Sequence, residues 1–144
     1  MRTLLEFFLK YFDFLYLDPR YRITDSKTEG DTINAALTVT GPAITWLLVN
    51  DRGQMELSLA PTSLATPRNW FWVSLVRQYM DGDSEIEYLA APEEVRWMRE
   101  NGTRVEQLFS DEGTIEATCE QLGVLRRGNA NEYWSRWREE QGLN

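Results

Sequence analysis

Residues 43–59 read AITWLLVNDRGQMELSL, and their reading decides the fold. Residues 43–50 are apolar on alternate and intervening positions alike, the pattern of a central strand in a sheet with one face packed and one wet. Asn50-Asp51-Arg52-Gly53 is a turn signal. Met55, Leu57 and Leu59 then alternate with Gln54, Glu56 and Ser58, a period of two with one wet face, until Pro61 stops it. Strand, short turn and strand predict an antiparallel hairpin whose first member is central in its sheet.

Working upstream, Ile33, Ala35, Leu37 and Val39 alternate with Thr32, Asn34, Ala36, Thr38 and Thr40, which predicts a further strand broken by Gly41-Pro42. Arg20, Arg22 and Thr24 alternating with Tyr21 and Ile23 predict another. Before it, residues 6–22 read EFFLKYFDFLYLDPRYR. Thr3 and Glu6 have capping-box spacing, so a helix is expected to start there and to end at Asp18-Pro19. Glu6, Lys10 and Asp13 form its narrow polar stripe, which predicts a helix covered on most sides. A membrane-surface helix would carry a basic polar face, and this one holds two acids and one base.

Working downstream, the pattern turns helical. Thr66-Pro67 predicts a start, with NWFWVSLVRQYM inside the helix and a polar stripe at Ser74, Arg77, Gln78 and Asp81. Pro92 opens a second helix over EEVRWMRE, which Asn101-Gly102 interrupts. Thr103 and Glu106 repeat the capping-box spacing. Ile115, Cys119 and Leu122 share a face, and Asn129 to Glu132 caps a last helix with Ala130, Tyr133, Trp134 and Trp137 on one side. The expected fold is therefore α+β and a single domain over residues 1–144. An antiparallel sheet of about four strands (residues 20–60) combines with an N-terminal helix and a helical C-terminal half.

The totals constrain function. No run reaches the roughly 18 apolar residues of a transmembrane helix, and the opening stretch lacks the basic-apolar-small order of a secretory signal. One cysteine, Cys119, fits a reducing compartment, so a cytoplasmic location is expected. The absence of histidine removes the commonest general base and metal ligand. Neither a GxGxxG nor a GxxxxGK phosphate loop occurs. Asp81-Gly-Asp-Ser-Glu-Ile-Glu87 begins like a calcium loop, but Ile86 stands at its sixth position and Pro92 at its twelfth, where glycine and glutamate are needed. Asp18, Asp25 and Asp51 lie where aspartates make turns. Trp70-Phe71-Trp72 invites base stacking but lacks a basic groove, so it reads as core, as does Cys119. Accordingly no enzyme activity, cofactor or metal, and no nucleic-acid or membrane partner, is expected.

Charge is the sharpest asymmetry. The chain carries 23 acids and 15 bases, net -8, yet residues 81–120 alone hold twelve acids against Arg96, Arg99 and Arg104. Such a block disfavours phosphate backbones and suits a cationic protein. The expected contact surface is Asp81, Asp83, Glu85, Glu87, Glu93 and Glu94, with Asp111, Glu112 and Glu116 as weaker candidates. The wet face of the sheet, with Arg20, Arg22, Thr38 and Glu56, is a second possible surface.

FFLKYFDFLYLDPRYRITDS, NDRGQMELSLAP and NWFWVSLVRQYMDGD, set in a small chain without histidine, resemble the immunity proteins encoded beside bacterial polymorphic toxins. The likeness spans roughly half of the chain and includes no fixed functional motif, so no site residue is carried over. It implies a one-to-one complex with a cognate toxin, basic around its active site, which the acidic surface covers. The alternatives are a small carboxylate-based enzyme or ligand-binding protein, an acidic phage-type nucleic-acid mimic, and a structural subunit whose aromatic surfaces are buried by assembly.

Overall fold

The structure, a computed structural model, describes residues 1–28 and 34–143. Its centre is the hairpin of β3 (Ile44–Asp51) and β4 (Gln54–Pro61). Arg52 and Gly53 join the two with φ of 52° and 93°, the positive angles of a two-residue turn that follows strand twist. Asn50 Oδ1 accepts the Gly53 N–H at 2.9 Å, and Asn34 Oδ1 accepts the Arg52 N–H at 3.0 Å. Outside β3 lie β2 (Ala35–Thr40) and then β1 (Arg22–Thr28). Beyond β4 comes β5 (Phe71–Trp72), so the antiparallel order is β1-β2-β3-β4-β5 with β3 in the middle.

Register builds the core. Val39, Trp46, Leu59 and Phe71 pair in one row across the sheet, and Leu37, Leu48 and Leu57 in another. All seven side chains are buried. Helices cover this face. α1 (Arg2–Tyr11) and α2 (Asp13–Tyr16) bring Leu4, Phe8 and Leu15. α3 (Val73–Asp81) and α4 (Ala91–Ser110) bring Val76, Val95, Met98, Val105 and Phe109, and α5 (Ile115–Glu140) brings Ile115, Cys119 and Leu122. The architecture is α+β, with a helical C-terminal half.

Several local expectations are corrected. The first helix already runs from Arg2, without a side-chain cap. It breaks at Phe12 (φ -111°, ψ 30°), and the break lets Phe12 and Phe14 both reach Trp46, with ring centroids 5.2 Å and 6.1 Å away. Residues two apart cannot share a face of one continuous helix. The helix is also covered on one side only, leaving Leu5 and Leu9 exposed. The first strand starts at Arg22, not Arg20, and carries a bulge between Ile23 and Asp25. The second strand's expected start at Thr32 and Ile33 lies outside the described residues.

Trp70-Phe71-Trp72 is not helical. Pro67–Asn69 is a short 3-10 turn, and Phe71 and Trp72 form the fifth strand, Phe71 turned into the core and Trp72 out of it. Asn101-Gly102 does not interrupt α4, and Asn129 does not start a new helix. Local boundary signals lose here because the side chains that carry them bond elsewhere. Asn101 Nδ2 donates to the Trp97 carbonyl at 2.9 Å. Glu106 accepts the Tyr21 hydroxyl at 2.8 Å and the Arg20 guanidinium at 3.3 Å. Asn129 and Gln78 exchange two amide hydrogen bonds, at 3.1 Å and 2.7 Å. Ser74 and Gln78, expected on a wet stripe of α3, are buried.

A candidate aromatic groove with an acidic lip

α3 ends at Gly82, whose φ of 69° makes the left-handed cap, and the Asp83 N–H donates to the Gln78 carbonyl at 3.1 Å. Residues 83–90 then run back without regular structure between α3 and α4. This return segment faces α5. Ile86 and Tyr88 form one wall of a groove of about 630 Å³, with Trp70, Trp72 and Leu75 beside them, and Ala130, Tyr133 and Trp134 of α5 opposite. Four of these rings are more than half exposed: Trp72 (52%), Tyr88 (63%), Tyr133 (62%) and Trp134 (52%). Trp72 and Tyr88 meet edge-to-face at 6.1 Å, Tyr133 and Trp134 at 5.4 Å, and Trp134 and Trp137 at 5.9 Å.

Two of the groove's polar liners, Arg126 and Asn129, are occupied by the fold. Arg126 donates to the carbonyls of Trp70 (2.8 Å) and Arg68 (3.1 Å), with its guanidinium 5.0 Å from the Phe71 ring centre. Asn129 is held by Gln78. A small-molecule site sets a few convergent polar groups among apolar walls to fix its ligand. Here the walls are present and those two polar groups already have partners. Exposed Trp and Tyr around an apolar floor match the composition of protein-binding hot spots.

The acidic residues divide by location. Asp81 ends α3, Asp83, Glu85 and Glu87 lie along the groove's return segment, and Glu132 stands on α5. Arg77 meets Glu87 at 3.1 Å and Asp81 at 3.6 Å, while Arg136 meets Glu85 at 3.2 Å and Glu132 at 2.6 Å. Five acids against two bases leave this lip negative, and Asp83 makes no ion pair among the described residues. Glu93 is exposed in the first turn of α4.

Glu94 must be removed from the expected surface. It is 7% exposed, and its carboxylate accepts the Ser74 N–H and the Ser74 hydroxyl, both at 2.9 Å. Burial pushes its pKa up to about 7 against those hydrogen bonds, which pull it down. Ser74 Oγ in turn accepts the Leu89 N–H at 3.1 Å, which ties the return segment to the head of α3. Glu94 thus supports the groove wall from behind.

The weaker candidates lie elsewhere. Asp111 turns the chain by accepting the Gly113 N–H at 3.0 Å, next to Glu112. Glu116 lines a separate polar cleft of about 500 Å³ with Arg68 and Arg127. On the second expected surface, strand register sets Arg22, Thr38 and Glu56 on one face of the sheet. Arg20 is not on it. It lies before β1 and pairs with Asp18 at 2.9 Å and Glu106 at 3.3 Å.

Asp18 accepts the Arg20 N–H at 3.0 Å, and the Arg20 guanidinium holds its carboxyl below the usual range. Asp51 meets Arg52 at 3.3 Å and Asp25 meets Lys27 at 3.8 Å. Cys119 is buried, which pushes its thiol up. Among the described residues no group of three Cys, Asp or Glu side chains could hold a metal ion. No helix there is long and apolar enough to cross a membrane.

Sequence patterning had placed Ala130, Tyr133, Trp134 and Trp137 on one helix face, but helical spacing does not say whether a face is covered. Tyr88 carried no signal, because residues 83–90 belong to no periodic element. Compared with family models, curated proteins and solved structures, this chain matches none.

Proposed function

We propose that this chain is an immunity-type protein that binds and neutralises a cognate bacterial toxin in the producing cell's cytoplasm, without chemistry of its own. The observation that carries the reading is the junction of an exposed aromatic groove with a negative lip. Aromatic anchors supply affinity once they are desolvated, and the charged lip steers a basic partner and rejects acidic ones. The resemblance to polymorphic-toxin immunity proteins supplies the class of partner. The contact surface is narrower than the acidic block as a whole. It comprises Asp81, Asp83, Glu85 and Glu87 with the groove, while Glu93 stands exposed in the first turn of α4 and Glu94 acts only as a support.

The test is co-expression with the toxin domain encoded beside this chain's gene. The unmodified protein is expected to restore growth, and the triple charge reversal Asp83→Lys, Glu85→Lys and Glu87→Lys is expected to lose that protection while remaining folded. Growth arrest in the presence of the unmodified protein, or full protection by the reversed variant, would refute the reading.

A further inference from the structure

We propose that the groove seats an amphipathic helix of the basic partner, laid along the free end of α5. The inference rests on the binding role proposed above and adds the kind of segment that enters. Ala130, Tyr133, Trp134 and Trp137 stand at i, i+3, i+4 and i+7, the seam a helix presents to another helix. In this chain the seam is bare, since every residue from 131 to 143 is exposed. Ala130 at the groove end of the seam leaves room for close approach, and the three rings after it supply apolar contact.

Charge selects the occupant. Asp83, Glu85, Glu87 and Glu132 border the seam; Arg136 meets Glu85 and Glu132, Arg77 meets Glu87, and Asp83 pairs with no base among the described residues. A helix with an apolar stripe flanked by Lys or Arg satisfies both the rings and the lip. A second copy of this chain would bring a like-charged lip, from a molecule of net charge -8, against the first. A polar metabolite would find Arg126 and Asn129 already bonded.

Three synthetic peptides of about four helical turns test this. One carries a Leu/Trp stripe flanked by Lys. In the second, Glu replaces each Lys. The third has the first peptide's composition with its helical period scrambled. Binding is followed on the full chain by the indole N–H resonances of Trp72 and Trp134. The first peptide is expected to shift both resonances, with affinity falling on the order of tenfold or more in Trp134→Ala and again in Asp83→Lys/Glu87→Lys.

Equal binding of the second or third peptide overturns the proposal, as does absence of binding by the first. Shifts confined to residues outside the groove do so too, as does a dimer by sedimentation that closes the groove. The two readings fail separately. If Trp72→Ala/Trp134→Ala still protects against the toxin, the helix seat is wrong and neutralisation stands. If the first peptide binds in the groove but no toxin is neutralised, the seat stands and the function is wrong.

Discussion

The Glu94 carboxylate on α4 caps the first turn of α3 by taking both the backbone N–H and the hydroxyl of Ser74, each at 2.9 Å. A carboxylate there favours the positive end of the α3 dipole, but burial without a cation opposes its charge. Its folded pKa of about 7 stands above the ordinary 4.5. Between those values the folded state holds a proton that the unfolded state has released. Stability from this group therefore falls as pH rises from about 4.5 to about 7 and then levels off. Glu94→Gln keeps the acceptor oxygen and removes the titration. Urea unfolding from pH 4.5 to 8 is expected to show the stability difference between variant and parent growing in the variant's favour across that window. Parallel curves would contradict it.

Gly41 is set by Tyr21. A Cβ at residue 41 would stand 2.2 Å from the Tyr21 ring, a distance no packing tolerates. The ring cannot easily give way, because it is buried and its hydroxyl donates to Glu106 at 2.8 Å. Gly41→Ala is expected to cost about 1–3 kcal/mol in equilibrium unfolding, the range for overpacking. A cost below about 0.5 kcal/mol would mean that the Tyr21 ring moves freely.

Arg52 is the only non-glycine residue with positive φ among the described residues, at 52°. Asn tolerates this conformation and Asn-Gly is the preferred pair for such a hairpin turn. The side chain gives up little, since its contact with Asp51 is exposed. Arg52→Asn is expected to raise stability by roughly 0.5–1 kcal/mol, read from the denaturation midpoint at constant slope. A lower midpoint would show that the Arg52 side chain contributes what its exposure hides.

Gln78 is buried and depends on Asn129 for both its amide bonds. Asn129→Ala leaves that amide unpaired and is expected to cost about 1–3 kcal/mol. Replacing both residues by apolar ones of similar shape, Gln78→Met with Asn129→Leu, is expected to recover part of the loss. A double variant as unstable as the single one would contradict the account of α5's continuity.

The sheet was legible because β2 and β4 repeat at a period of two with turn residues between, and β3 reads as central from its two apolar faces. The N-terminal helix and the Ile115, Cys119 and Leu122 face were legible from helical spacing, though the break at Phe12 was not. Helix boundaries were not. Asn101, Glu106 and Asn129 look like stops or caps, yet their side chains meet Trp97, Tyr21 and Gln78, two of these far away in the chain. The acidic segment was visible as charge. That Glu94 faces inward while Asp83 faces solvent depends on the path of residues 83–90, which no local pattern specifies. Trp72 needed the fifth strand before its exposure made sense.

The central claim is that a negative lip beside an aromatic groove captures a basic protein. The most direct measurement is the stopped-flow association rate with the toxin domain, as a function of salt, for the parent and for Asp83→Lys/Glu85→Lys/Glu87→Lys. The parent rate is expected to be high at low ionic strength and to fall steeply as salt screens the lip. The reversed variant is expected to associate at least about tenfold more slowly at low salt, with a flat or inverted dependence. Identical rates and identical salt slopes for the two proteins would contradict the claim.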